Sequence, residues 1–102
     1  MKVKVTRSTG NVFEDVGFSR EEAENLKIRA DLLIDLHEAL SKRRMKQSEA
    51  AKLLGVTQPR VSDLMRGRIE LFSIDTLVNM LARLGIKVRV TVKASRRRAK
   101  VA

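Results

Sequence analysis

The sequence contains no cysteine and only one histidine, His37. Without cysteine the chain can form no disulfide, no thiol nucleophile and none of the usual structural zinc sites. A single histidine also excludes a catalytic triad or a metal site that needs two. No other catalytic constellation is present. We therefore predict a protein that is not an enzyme and holds neither a metal nor another cofactor.

Long apolar runs are also missing. The longest, such as residues 32 to 34, are far too short to span a bilayer. Lys2 and Lys4 lead into polar residues, not into the apolar stretch of an export signal. With 102 residues the chain has room for one small domain. These features predict a cytoplasmic protein with no membrane partner.

Charge is abundant and unevenly distributed. The chain has 22 basic and 12 acidic residues, for a net charge of +10. Residues 14–38 carry a net charge of −5, residues 42–68 carry +6, and residues 87–102 carry +7 with no acid. Segregation of this kind predicts surfaces that face different partners.

Local signals predict four helices. Ser19 opens a capping box with Glu22, and apolar residues at helical spacing follow it with no Gly or Pro. Gly55 and Gly67 are placed to end two shorter helices, and Pro59 suits the first turn of the second of them. The predicted ranges are about 20–43, 47–54 and 58–65, and a fourth helix begins after Ser73 and ends before Gly85. Thr57 is the predicted cap of the third helix and Ser73 that of the fourth.

Two stretches alternate between apolar and polar residues, a pattern typical of strands. They are the arm around Val3 and Val5 and the segment 86–92. A lone strand must find a hydrogen-bonding partner, and the candidates are the arm or the same strand of a second copy. We predict a homodimer built by this strand and the fourth predicted helix, with the apolar strand residues at the interface: Ile86, Val88, Val90 and Val92.

The predicted organisation has three parts. Residues 1–18 form an N-terminal arm, residues 19–93 form the helical domain with its strand, and residues 94–102 form a basic, disordered tail.

Residues 47–64 have the composition of a helix-turn-helix. Two short helices that cross steeply need a small residue at their contact, a glycine at the turn and apolar residues that lock the second helix. Ala51 and Gly55 meet the first two needs, and Val56, Val61 and Leu64 meet the third.

This segment closely resembles the Cro/repressor-type (XRE) helix-turn-helix family, and the likeness extends over about residues 26–85. The resemblance implies a mainly α fold, a lambda-repressor-like bundle of four to five helices with a C-terminal β-strand. It also implies that the second short helix of the motif reads the major groove of operator DNA. Lys46 departs from the pattern, since the family usually has Ser or Thr there. The leader 10–18 and the basic strand after Gly85 are similar to HigA-type antitoxins, which repress their own operon and neutralise a RelE/HigB-like mRNA-cleaving toxin.

The polar residues of the motif are the predicted DNA contacts. Gln58 is suited to adenine and Pro59 to a thymine methyl group, while Arg60 reaches either a guanine or a phosphate. Asp63 either accepts from a cytosine amine or serves within the protein. Gln47 is placed to hold a phosphate. The remaining candidates are Thr57 and Ser62 as secondary contacts and Arg66, Arg68 and Arg43 as phosphate clamps. In the basic tail, Arg96–Arg98 either contact the DNA backbone or minor groove or add only non-specific attraction.

Three functional hypotheses follow. The first is a sequence-specific repressor that is also an antitoxin, whose acidic segment meets a basic toxin through Phe13 and Phe18. The second is a stand-alone or phage-type XRE regulator without a toxin. The third is a protein-binding module that does not use DNA. The polar and basic residues Gln58, Arg60, Arg66 and Arg68 argue against this third hypothesis.

Overall fold

A computed structural model describes residues 2–3 and 11–94 of the chain. The elements are β1 (Lys2–Val3), α1 (Val12–Asp15), α2 (Arg20–Arg43), α3 (Gln47–Leu54), α4 (Gln58–Met65), a 3₁₀ turn (Ile69–Leu71), α5 (Ile74–Arg83) and β2 (Lys87–Val88). The predicted mainly helical fold is confirmed. The tail from residue 95 and residues 4–10, including Val5 of the predicted strand, lie outside the described residues.

The long helix α2 packs against α1, α4, α5 and the 3₁₀ turn, and α3 packs against α4 and α5. Its apolar side chains Leu32 and Leu36 are fully buried, and Leu77 and Leu81 of α5 lie in the same core. Phe72, between the 3₁₀ turn and α5, is the largest fully buried side chain. Within the described part of the chain, no helix is long and apolar enough to cross a membrane.

Two predicted caps hold their helices as expected. The Ser19 hydroxyl accepts from the backbone N–H of Glu22 at 3.2 Å at the start of α2. The Ser73 hydroxyl accepts from the backbone N–H of Thr76 at 3.2 Å at the start of α5. Each bond satisfies one of the N–H groups that a helix leaves without a partner at its amino end.

The N-terminal leader contains a helix, α1, that was not predicted from the sequence. The Asn11 side chain accepts from the backbone N–H of Phe13 at 3.0 Å and so caps α1. The same side chain donates to the carbonyl of Ala23 at 2.8 Å. Asn11 therefore both starts α1 and fastens it to α2.

The predicted strand 86–92 is shorter in the structure. The strand β2 comprises Lys87–Val88 and pairs in parallel with β1, with Lys2 opposite Lys87 and Val3 opposite Val88. Of the two partners expected from the sequence, the N-terminal arm is the one that pairs within the chain. Residues 89–94 follow without regular secondary structure, so alternation alone did not predict the length of the strand.

Candidate nucleic-acid interface

The helices α3 and α4 meet at a tight turn centred on Gly55. Gly55 has φ +72°, a conformation that glycine adopts with little strain. The backbone N–H of Val56 donates to the carbonyl of Ala51 at 3.0 Å and closes the turn. Ala51, Val61 and Leu64 are buried in the core that the helices share. The predicted anatomy of a helix-turn-helix is thus present in three dimensions.

The amino end of α4 faces outward. Thr57, Gln58 and Pro59 are all exposed, whereas Val61 and Leu64, one turn later, are buried. Thr57 occupies the capping position as predicted, but its side chain makes no capping hydrogen bond within the described residues, so the predicted side-chain cap is wrong. The polar groups at this end therefore remain available for a ligand.

Arg60 lies differently from its neighbours. Its side chain is half-buried, and its Nη1 donates to the carbonyl of Leu71 at 2.9 Å. The guanidinium carbon lies 4.2 Å from the centre of the Phe72 ring. This distance is typical of a cation–π contact, so Arg60 joins α4 to the segment that precedes α5.

The second half of α4 and the residues after it carry the other predicted contacts. Ser62 and Asp63 are half-buried, and Arg66 and Arg68 are exposed. Arg68 Nε lies 2.9 Å from a carboxylate oxygen of Glu70. The hydrogen bond from Arg68 holds the pKa of Glu70 below its ordinary value, and the bond to Glu70 raises the pKa of Arg68.

The start of α3 is exposed and basic. Gln47, its first residue, and Lys46, its capping residue, both face solvent. Lys46 has no side-chain oxygen with which to cap the helix. Instead, the Glu49 carboxylate accepts from the backbone N–H of Lys46 at 2.9 Å, which is the half of a capping box that remains without Ser or Thr.

The four predicted dimerisation residues do not share one environment. Ile86 is buried in the core of its own chain, and Val88 packs partly against that core. Val90 and Val92 are 71% and 89% exposed. The chain therefore divides this set into an inner pair and an outer pair.

A second exposed apolar cluster lies on the leader, and we call it the leader surface. Val12 and Val16 are 63% and 68% exposed, and Phe18 is also exposed. The Phe13 and Phe18 rings meet edge to face, with centroids 6.2 Å apart. Phe18 also lines a shallow groove of about 400 Å³ beside the carboxylates Glu21 and Glu22.

Several arginine side chains donate to backbone carbonyls that lie far away in the sequence, and these hydrogen bonds were not predicted. Arg43 donates to Leu84 O at 2.9 Å, and Arg83 donates to Leu53 O at 3.4 Å. Together with Arg60, they connect the helices around the helix-turn-helix. No local signal identifies such bonds, because their acceptors are 11 to 41 residues away.

Comparison with known proteins agrees with this geometry. A family model described as a helix-turn-helix domain matches residues 12–93. Among solved structures, a chain described as an XRE-family transcriptional regulator superposes with a TM-score of 0.68 at 30% sequence identity, covering 74% of this chain and 85% of that chain. No curated protein matches the sequence. The chain belongs to the XRE-type helix-turn-helix family of DNA-binding transcriptional regulators.

Proposed function

We propose that this protein is a sequence-specific repressor that inserts the amino end of α4 into the major groove of its operator. The observation that carries the proposal is the contrast along α4, where Thr57, Gln58 and Pro59 are exposed and Val61 and Leu64 are buried. A helix fixed by its inner face and polar at its outer amino end is what a major-groove reader of this family requires.

Within this proposal the residues divide by the part of the DNA that they meet. Gln58 pairs with adenine through its amide, and Pro59 contacts a thymine methyl group. Thr57, Ser62 and Asp63 are secondary contacts at the same helix. The phosphate contacts are Gln47 at the start of α3 and Arg66 and Arg68 beyond α4.

The test compares binding to a duplex from the protein's own upstream region with binding to a scrambled duplex of the same composition, over a series of salt concentrations. We expect the affinity for DNA to fall steeply as the salt concentration rises. In a plot of the logarithm of the affinity against the logarithm of the salt concentration, each phosphate contact contributes about −0.9 to the slope. Gln58→Ala should relax preference at one base pair, at a cost of about 1–3 kcal/mol, and leave the salt slope unchanged. Arg66→Met is the matched variant, and it should weaken binding to both duplexes alike. Equal affinity of the wild-type protein for the two duplexes would refute sequence-specific repression.

We further propose that the protein acts as a homodimer. Two reading helices about 34 Å apart meet successive major grooves, which is how this family reads symmetric operators. The outer pair Val90 and Val92 supports this assignment, since these apolar side chains find no cover in the described part of the chain. A cytoplasmic location is part of the same proposal.

We also propose that the protein is an antitoxin with a basic toxin as its partner. The leader surface supports this role because Val12, Val16 and Phe18 are exposed, and Phe18 lines a groove with the carboxylates Glu21 and Glu22 and one cation, Arg29. Charge complementarity with apolar anchors is typical of specific protein partners. The test is co-expression with the product of the adjacent gene, followed by a pull-down at moderate salt. Recovery of a small basic protein that is released by Phe18→Lys supports the antitoxin role. If the adjacent product does not bind, the protein is a stand-alone regulator.

A further inference from the structure

The amino end of α4 is only weakly stabilised by its own residues. Thr57 gives no side-chain capping bond within the described residues, and the first turn carries no carboxylate. Arg60 instead places a cation in that turn, where the helix dipole disfavours positive charge. The position of this end therefore depends on contacts with other parts of the fold.

Arg60 supplies two such contacts. Its Nη1 donates to the carbonyl of Leu71, at the end of the 3₁₀ turn, at 2.9 Å. Its guanidinium lies over the ring of Phe72, 4.2 Å from the ring centre. Phe72 is 1% exposed and fixed in the core, so the ring is a rigid support for the guanidinium.

We propose that Arg60 is a positioning residue of the DNA interface. It tethers the amino end of α4 to Leu71 and Phe72, and so sets where Gln58 and Pro59 lie in the groove without touching DNA itself. This assignment differs from both roles expected from the sequence, a guanine contact and a phosphate contact. It rests on the proposed DNA-binding function, and part of its test needs no DNA.

The first experiment measures amide hydrogen exchange in the free protein by NMR. The backbone N–H groups of Arg60 and Val61 both donate to Thr57 O, at 3.1 and 3.2 Å, and report on the first turn of α4. Arg60→Met keeps an unbranched side chain but removes the donor and the cation. We expect exchange at these two amides to become about tenfold faster, because the turn opens locally more often.

Arg66→Met is the matched control, since it removes the same charge from the other end of α4. The structure records no side-chain hydrogen bond of Arg66 within the described part of the chain, so exchange in the first turn should stay as in the wild type. Unchanged exchange in Arg60→Met would overturn the proposal.

The second experiment uses the upstream and scrambled duplexes over the same salt series. In Arg60→Met we expect the ratio of the two affinities to fall about tenfold, the size of one lost base contact, with no change in the salt slope. A slope lower by about 0.9 would identify a direct phosphate contact and overturn the proposal.

Phe72→Leu supplies an independent check. It removes the ring beneath Arg60 but keeps an apolar core side chain, and a buried residue cannot contact DNA. We expect the same loss of discrimination, and the double variant should lose no more than the stronger single variant. Full additivity would overturn the proposal. A wild-type protein that ignores DNA sequence would refute the proposed function, yet the exchange result would still stand.

Discussion

At the scale of single residues, Gly55 is under two constraints at once. Its backbone has φ +72°, and a Cβ atom at this position would lie 2.8 Å from Cζ of Arg83. The first constraint is conformational strain, and the second is a steric contact with the end of a flexible side chain. The two contributions can therefore be separated by experiment.

We expect Gly55→Ala to lower the free energy of unfolding by about 1–2 kcal/mol, mostly through the positive φ. Gly67→Ala is the matched control, because Gly67 has φ +75° and no described atom within 4 Å of the added Cβ. Urea denaturation of both variants measures the difference, which is the contribution of the Arg83 contact. If Gly67→Ala is as stable as the wild type, the conformational part of this argument is wrong.

Also at this scale, the pair Arg68 and Glu70 predicts a dependence on pH. The pKa of Glu70 is lowered by the hydrogen bond from Arg68. A carboxyl with a lowered pKa in the folded protein adds stability above its ordinary pKa, and this contribution is lost as the pH falls through the lowered value. The effect is small because both side chains are exposed.

The measurement is an NMR titration of the Glu70 carboxyl in the wild type and in Arg68→Gln. We expect the pKa of Glu70 to rise toward its ordinary value of 4.5 in the variant. The stability difference between the wild type and Glu70→Gln should shrink between neutral pH and about pH 3. An identical Glu70 pKa in both proteins would show that the ion pair does not form in solution.

At the scale of elements, the helix starts differ in how they are capped. The Ser73 hydroxyl accepts from the helix backbone at the start of α5, whereas Thr57 makes no such bond among the described residues. We expect Ser73→Ala to cost about 1 kcal/mol and Thr57→Ala close to nothing. Thermal unfolding of the two variants tests this order. A loss in Thr57→Ala as large as in Ser73→Ala would mean that Thr57 does cap α4 in solution.

Helix positions were predictable from sequence because their signals are local. The predicted ranges 20–43, 47–54 and 58–65 coincide with α2, α3 and α4. Ser19 and Gly55 act on the backbone within four residues of themselves, so the printed sequence contains the whole signal. The helix α1 is the exception, because its four residues are too few to show a helical pattern of apolar residues in the sequence.

Features that depend on distant parts of the chain were not predictable in the same way. The strand β2 pairs with Lys2–Val3, more than 80 residues earlier. The orientation of Arg60 depends on Leu71 and Phe72, and only the fold brings these three residues together. The sequence identified the polar end of α4 as the candidate site, but it did not show which of its side chains are held by the protein itself.

At the scale of the whole molecule, the net charge of +10 serves more than one purpose. Arg43, Arg60 and Arg83 donate to backbone carbonyls and connect helices. Within the described residues, the exposed side chains of Lys46 and Arg66 make no such bond to a backbone carbonyl. They are therefore better placed to attract DNA. A count of basic residues therefore overstates the charge that faces the operator.

Two pairs of exposed valines lie on surfaces of opposite charge, and we assign them to different partners. Val12 and Val16 lie in the acidic part of the chain, and Val90 and Val92 lie among bases at its other end. A dimer built on the second pair brings like charges together, so salt should tighten it by screening their repulsion. Salt weakens DNA binding. The two equilibria should therefore respond to salt in opposite directions.

The same substitution in each pair separates the two partners. Val90→Lys/Val92→Lys should give a monomer in sedimentation equilibrium and lose cooperative operator binding, because two reading helices are no longer joined. Val12→Lys/Val16→Lys also removes exposed apolar surface, so it should leave the dimer intact and abolish capture of the proposed basic partner. Each variant is thus the control for the other. If Val90→Lys/Val92→Lys is still a dimer, the interface lies elsewhere on the molecule. If both double variants are monomers, the leader surface belongs to the dimer and has no separate partner.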